Sequence, residues 1–393
     1  MSVLFGLYFS SVAMSFRREA LWADCAADQP ITGRPRAMDA RLAQAPDTEV
    51  ARRTALEFDR ELDMPELLTG IRALRRLVAA RARGHVLEVA VGTGRNLPYY
   101  EWDAVVAADA DEARRLRERE RVRRLLERHA WSQTVGGASS SMADLARAGR
   151  ARDLARTLAL GQVDGELLSL TAVDISSDML RVARQHLRDT VPGLDRIMHR
   201  QRREPMPDGR ARDAVEMVVD VLDHRLRLIK ADAQEVLPPP PAIHGVPPPV
   251  DGKYDTVIQT FGLCSVEDPS KLLAKMAAAV RPDTGRILLI EHGRGSYDFI
   301  NKKLLDRFAQ RHFQRYGCWW NRDIAATLEQ ATEDIPGLEI VSLERPNWYH
   351  AGTTMLIELK VNSALTQSRE GIRATSKTGW TVLWDRMTGT TSS

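Results

Sequence analysis

Glu88, Gly92 and Gly94 stand close together in "HVLEVAVGTGRN", where an apolar run opens into a Gly-x-Gly turn. Glycines at the end of a buried strand let the backbone approach a ligand and present the N–H groups of the following turn. A dinucleotide would ask for a third glycine, and position 97 is leucine. The carboxylate narrows the choice further. Glu88 offers nothing to an anionic pyrophosphate, but it suits a donor carrying an ammonium and a sulfonium, as S-adenosylmethionine does. An isolated buried glutamate would otherwise be costly.

Further acids follow the later apolar runs. A ribose-binding carboxylate is expected at the end of the second strand. Asp109 in "AVVAAD" has nearly the usual spacing, whereas Asp174 in "LTAVDISSDML" lies much farther along. Asp174 is preferred, because a strand precedes it and an amphipathic helix capped by Ser176 follows. This choice implies a surface insertion between the two strands. Asp232 in "KADAQEV" is placed to accept from an adenine amino group, with the Ala233 backbone beside the ring. The expected cofactor set takes Glu88, Val89, Gly92, Thr93, Gly94 and Asn96 from the first strand and its turn. Asp174, Ile175 and Met179 come from the second, Asp232 and Ala233 from the third, and Thr260 from the fourth.

Methyl transfer is an in-line displacement, so positioning in a water-poor pocket can supply most of the catalysis. A base is needed only where the acceptor is protonated at working pH. Cys264, His292, Arg294, Trp319, Trp320 and Asp323 follow the fourth and fifth strands and could meet an acceptor. His292 and Asp323 are the expected catalytic pair, although His292 reads equally well as a structural histidine. The tryptophans read as core or lid packing, and Cys318 as a small buried residue.

Those side chains need a framework. Apolar runs alternate with amphipathic stretches, and "LEIVSLE" and "TTMLIELK" close the series as an antiparallel pair. The pattern predicts a doubly wound, seven-stranded, mostly parallel α/β sheet with helical insertions. The expected domain covers 51–360, interrupted at 103–168 and 196–222 and by a proline-rich loop at 237–252. Residues 361–393 read as a loose tail. Residues 1–50 read as a flexible segment whose start, "VLFGLYFSSVAM", is too short to span a bilayer. It fits an organelle-targeting stretch, the stub of a membrane anchor or a frayed terminus.

The chain has 393 residues, 44% of them hydrophobic, which fits a globular core. Its 56 basic and 53 acidic residues leave a net charge of +3, so nucleic-acid binding is not expected. Three cysteines with no C-x-x-C pair predict neither a disulfide framework nor a metal site.

Taken together, "LEVAVGTGRNLPYY", "VDISSDML", "KADAQEV", "DTVIQTFGLCSVEDP" and "IEHGRGSY" with the later "GCWWNRD" resemble class I S-adenosylmethionine-dependent methyltransferases. Within that superfamily they are similar to the fungal mitochondrial inner-membrane methyltransferase-like proteins, and more distantly to the animal methyltransferase-like 7 group. The resemblance covers roughly 52–360 and implies S-adenosylmethionine as cofactor, with Gln259 joining Glu88, Gly92, Gly94, Asp174 and Asp232 in holding it. It implies a small acceptor of thiol or quinone type and a mitochondrial location, with cytoplasm as the alternative, and allows peripheral membrane association. A non-catalytic scaffold that keeps the fold is the competing expectation. The chain departs from the pattern in its two insertions and in lacking a full membrane span before the domain.

Overall fold

A computed structural model describes residues 55–107, 166–201, 215–243, 250–346 and 348–365. The expected N-terminal segment and nearly all of the C-terminal tail lie outside them, as do most of the first insertion and part of the second.

Strands β1 (Gly84–Val89), β2 (Leu167–Asp174), β4 (Leu226–Ala231), β5 (Thr256–Thr260) and β6 (Arg286–His292) form the parallel centre of one sheet. β7 (Leu338–Glu344) and β8 (Thr354–Val361) close one side antiparallel, and β3 (Val215–Val221) closes the other. The order is β3-β4-β2-β1-β5-β6-β8-β7. Strands after β1 first build outward through β2, then return to its other side with β5. The reversal leaves an opening at the carboxyl end of β1, where open α/β sheets bind ligands.

Successive β1 residues Val86 and Leu87 are both fully buried, and they belong to opposite faces of the sheet. Helices on both faces explain why the central strands read as continuous apolar runs rather than alternating ones. One face takes α2 (Ile71–Ala79) and α3 (Ser177–Thr190), through Leu74, Val78, Leu180 and Leu187. The other takes α5 (Pro269–Ala279) and α7 (Ile324–Asp334), through Leu272, Met276, Ile324 and Leu328. α3 begins where expected, with the Ser176 hydroxyl accepting from Met179 N at 3.3 Å.

The fold departs from the sequence expectation in two places. The sheet has eight strands rather than seven, because β3 occupies part of the expected 196–222 interruption. Its "VEMVVDV" is rich in β-branched valine and pairs with β4 across a turn whose Leu222, Asp223 and His224 all have positive φ. Before it, α4 (Leu194–Gln201) extends from α3. A helix not foreseen at all, α1 (Ala55–Leu68), lies ahead of α2. As expected, β1 pairs directly with β2, Val89 opposite Val173, and residues 104–107 of the "AVVAAD" stretch are helical rather than extended. Asp174 therefore ends the strand beside β1. Asp109 lies outside the described residues.

Candidate active site

A cavity of about 1300 Å³ opens over the carboxyl ends of β1, β2, β4, β5 and β6. Its floor is residues 89–93, 173–176, 231–234 and 260–262. Phe58, Leu62 and Glu66 of α1 line it from one side. His312, Phe313 and Tyr316 of α6 (Asp306–Tyr316), with Trp319 and Trp320 beyond, line it from the other.

The floor is built on unusual backbone. Ala90, just after β1, and Phe261, just after β5, both have positive φ (54° and 58°), a conformation costly for residues with a Cβ and frequent at functional sites. Between them Gly92 (φ 57°) has open space where a Cβ would stand, so the chain leaves room at that point. Gly94 (φ 83°) is required for packing: a Cβ there would lie 2.4 Å from Leu97 Cδ1 and 3.2 Å from Ala183 Cα.

Asp174 joins the first two strand ends. Its Oδ2 accepts from Gly92 N and its Oδ1 from Ser176 N, both at 2.8 Å. Burial pushes its carboxyl above the ordinary aspartate value, and these backbone donors oppose the rise. A carboxylate has about four lone-pair sites, so acceptor capacity remains for a ligand's hydroxyls. Asp232 accepts from Gln234 N at 2.9 Å, with Ala233 next to it on the wall. Ile175, 61% exposed, presents an apolar face into the same space, and Met179 lies beside it.

Glu88 is not on the wall. It is buried behind it, accepting from Asn96 Nδ2 (2.9 Å) and Tyr100 Oη (2.8 Å). Burial pushes its carboxyl up to about 7, while those two hydrogen bonds and Arg75 act to lower it. The expected closeness of this carboxylate to a cationic ligand is therefore corrected: Asn96 and Tyr100 each donate to one of its oxygens, and it lies behind the cavity wall rather than on it. Glu88 instead anchors Asn96, whose Oδ1 accepts from Arg75 Nη1 at 2.8 Å. The same Arg75 nitrogen donates to Thr260 Oγ1 (2.9 Å), and the rest of the guanidinium grips Glu66 at 2.8 and 3.1 Å. Arg95 pairs with Asp59 and Asp63 of α1, and the Thr93 hydroxyl donates to Asp59. Three acids of α1 thus clamp it over the glycine turn.

Of the expected cofactor set, Val89, Gly92, Thr93, Asp174, Ile175, Met179, Asp232, Ala233 and Thr260 line the cavity. Glu88, Gly94, Asn96 and Gln259 do not. Gln259 is fully buried, and neither atom of its amide has a hydrogen-bond partner among the described residues. Its amide nitrogen lies 1.8 Å from where a Cβ on Gly262 would stand, so glycine is needed there. Sequence reading missed Arg75, Arg95, Asp59 and Glu66. The available signal was Arg75 beside Leu74 on the apolar stripe of α2, a basic residue on a face that turns out buried.

The expected catalytic pair separates. His292 ends β6 and faces the cavity. Burial acts to lower the pKa of its ring, but the neighbouring Cys264 and Glu291 carry it above the ordinary histidine value. Asp323 is corrected to a structural role: its exposed carboxylate accepts from Ala326 N at 3.0 Å and caps α7. Around His292 the chain gathers Cys264 and Cys318, with the Cys318 Sγ 3.4 Å from His292 Nε2. Arg294 turns away and pairs with Asp306. Trp320 stacks on His312 (4.0 Å between ring centres, 11°), and Trp319 on Phe313 (4.2 Å, 16°).

A cleft with glycine and acid at one end and aromatic and sulfur groups at the other, set over the switch point of a doubly wound sheet, defines a nucleoside-ligand α/β fold. The profile of the methyltransferase-domain family matches residues 60–343, and the chain belongs to that family, whose methyl donor is S-adenosylmethionine. The chain is 27% identical over 306 residues to the mitochondrial methyltransferase OMS1 of Saccharomyces cerevisiae. The match takes in 78% of this chain and 44% of that relative, so the chain spans less than half of the relative's length. Among solved structures it is similar to an O-methyltransferase family protein from Burkholderia thailandensis (TM-score 0.41, 12% identity, 91% of this chain and 72% of that one). It is also similar to the plantazolicin methyltransferase BpumL in complex with SAH (TM-score 0.38, 10% identity, 83% and 95%).

Proposed function

We propose that this chain transfers a methyl group from S-adenosylmethionine to a small acceptor of thiol or quinone type, bound at the aromatic end of the cavity. The observation that carries this reading is one continuous space joining Asp174 and Gly92 to His292 and the Trp319–Trp320 pair. The residues present fit the cofactor. Open space at Gly92 accommodates close approach of a ligand, and Asp174 keeps acceptor capacity for ribose hydroxyls. Asp232 and Ala233 line the same cavity and suit an adenine amino group and ring edge, and Ile175 and Met179 add apolar surface to it.

S-adenosylmethionine supplies an electrophilic methyl carbon on a cationic sulfur. The protein's part is to align, to exclude water and to hold charge in place. The network of Glu88, Asn96, Arg75 and Thr260 fixes the floor, so the turn after β1 need not reorganise as a ligand enters. α1, tied down by Arg75 and Arg95, covers that end of the site. His292 stands at the acceptor end, able to take or hold a proton where the acceptor carries one.

The mitochondrial location of the Saccharomyces cerevisiae relative supports the mitochondrion as the place of action, and peripheral membrane contact through residues ahead of the domain belongs to the same proposal. No helix among the described residues is long and apolar enough to cross a membrane. The test is incubation of the protein with methyl-labelled S-adenosylmethionine and a mitochondrial small-molecule extract, followed by mass spectrometry. Label in a thiol or quinone-like product is expected. Cofactor binding with no labelled small molecule would favour the scaffold reading instead.

A further inference from the structure

Cys264, His292 and Cys318 come from three separate segments: the loop after β5, the end of β6, and the loop after α6. One side-chain donor atom from each lies within 4.8 Å of the other two. Cys264 and Cys318 are free thiols, both buried, and His292 is half-buried at the cavity wall. We propose that these three residues form a site for a soft divalent cation of the zinc class, with three protein ligands and an open fourth position facing the cavity.

The geometry suits such an ion. Zinc takes sulfur at about 2.3 Å and imidazole nitrogen at about 2.0–2.1 Å, which in a tetrahedron sets nitrogen and sulfur about 3.5 Å apart. His292 Nε2 and Cys318 Sγ are 3.4 Å apart. The donor chemistry also fits. Two thiols that release their protons to solvent on ligation supply two negative charges, so a dication and a neutral imidazole make an uncharged assembly at a buried place.

The backbone around the cluster is already fixed. Trp319 N donates to Cys264 O at 2.8 Å, which ties the two cysteine-bearing loops together. Buried Arg322 donates through Nη1 to Leu263 O and Val266 O on either side of Cys264. Gly293, next to His292, packs so closely that a Cβ would lie 2.4 Å from Arg322 O. His312 Nε2 is 3.2 Å from Cys318 Sγ, placed to donate to a ligated thiolate as the outer partner such sites use. His292 and Cys318 line the cavity and Cys264 does not, so the open position points toward the acceptor end. There the ion would ligate an acceptor's thiol or hydroxyl and hold it without its proton, in place of the proton transfer to His292 that the ion-free protein would use. That last role rests on the methyl-transfer reading; ion binding itself does not.

The test needs no methyl donor. Full-length reduced protein, stripped with a chelator, is titrated with cobalt(II) chloride and followed by absorption. One equivalent should give sulfur-to-cobalt charge transfer in the near ultraviolet and the intense visible bands of a tetrahedral ion, and zinc(II) chloride should displace both. Cys264→Ser and Cys318→Ser should each reduce the charge-transfer band and weaken cobalt binding by about tenfold or more. His292→Ala should shift the visible bands and leave sulfur ligation in place. Circular dichroism establishes that each variant is folded. Folded, reduced wild-type protein that gives no charge-transfer band overturns the proposal without touching the donor site. So does an unchanged band in both serine variants, or a Cys264–Cys318 disulfide recovered from protein kept reduced throughout.

Discussion

Gly92 N and Asp174 Oδ2 are 2.8 Å apart, joining the turn after the first strand to the end of the second. Neither residue is near the other in sequence, and the bond exists because β1 and β2 are adjacent and in register at Val89 and Val173. It places a carboxylate and a glycine with open space at its Cβ position on one wall of the cavity. Asp174→Asn keeps the shape and loses the charge. Hydrogen bonds to charged groups contribute about 1.5–3 kcal/mol, so S-adenosylmethionine should bind about 10- to 100-fold more weakly to the variant. Calorimetric titration checks this; equal affinity would remove Asp174 from the ribose role.

Gly92 and Gly94 should respond differently to substitution. Gly94→Ala forces a Cβ against Leu97 and the Ala183 backbone at positive φ, and should destabilise the fold by about 2–4 kcal/mol. Gly92→Arg meets no neighbour at its Cβ and should cost only about 1–2 kcal/mol for its φ, while its side chain fills the crevice. Denaturation curves and cofactor titration on both variants separate the two effects: stability is lost chiefly in the first, binding in the second.

Arg75 connects α1 to the floor through Glu66, Asn96 and Thr260. Arg75→Met should lower stability by about 3 kcal/mol, the low end for breaking a buried pair, because Arg95 still reaches Glu66 at 3.0 Å. Replacing Glu66 by methionine as well should recover part of that loss, since apolar side chains can substitute for a buried pair. Chemical denaturation of the two variants gives the comparison. A double variant less stable than the single one would argue against this account of the clamp.

Glu88 gives the fold a pH dependence. Burial raises its folded pKa to about 7, above the ordinary glutamate value of 4.5. Between those values the folded chain holds a proton that the unfolded chain has released, so this group's contribution to stability falls as pH rises from about 4.5 to about 7 and is level above. The total is on the order of 3 kcal/mol. Glu88→Gln should flatten that part of the stability profile, measured by denaturant titrations across the window. A variant with the same slope would assign it to other groups.

Much of this arrangement is legible in the sequence, for a physical reason. Parallel strands buried on both faces are continuous apolar runs, and the polar residues that end them stand out, as Asp174 and Asp232 do. The same logic missed β3, whose Val215 to Val221 run half-faces solvent at the sheet edge. It missed α1 because Asp59 and Glu66 look like surface residues until Arg75 and Arg95 are brought across to them. Glu88 was read as a ligand contact, since nothing local shows that Asn96 and Tyr100 fold back onto it. Asp323 looks catalytic beside two tryptophans, yet its backbone position makes it a cap. The cysteines gave no metal spacing along the chain, because the fold alone brings Cys264 to Cys318.

Calorimetric titration of the full-length protein with S-adenosylmethionine, followed by competition with its demethylated product, tests the central claim most directly. An acid-lined cleft over the sheet's switch point that holds this donor should take up one molecule per chain and be blocked by the product. Folded protein that shows no uptake, or that binds unchanged after Gly92→Arg fills the crevice, contradicts it.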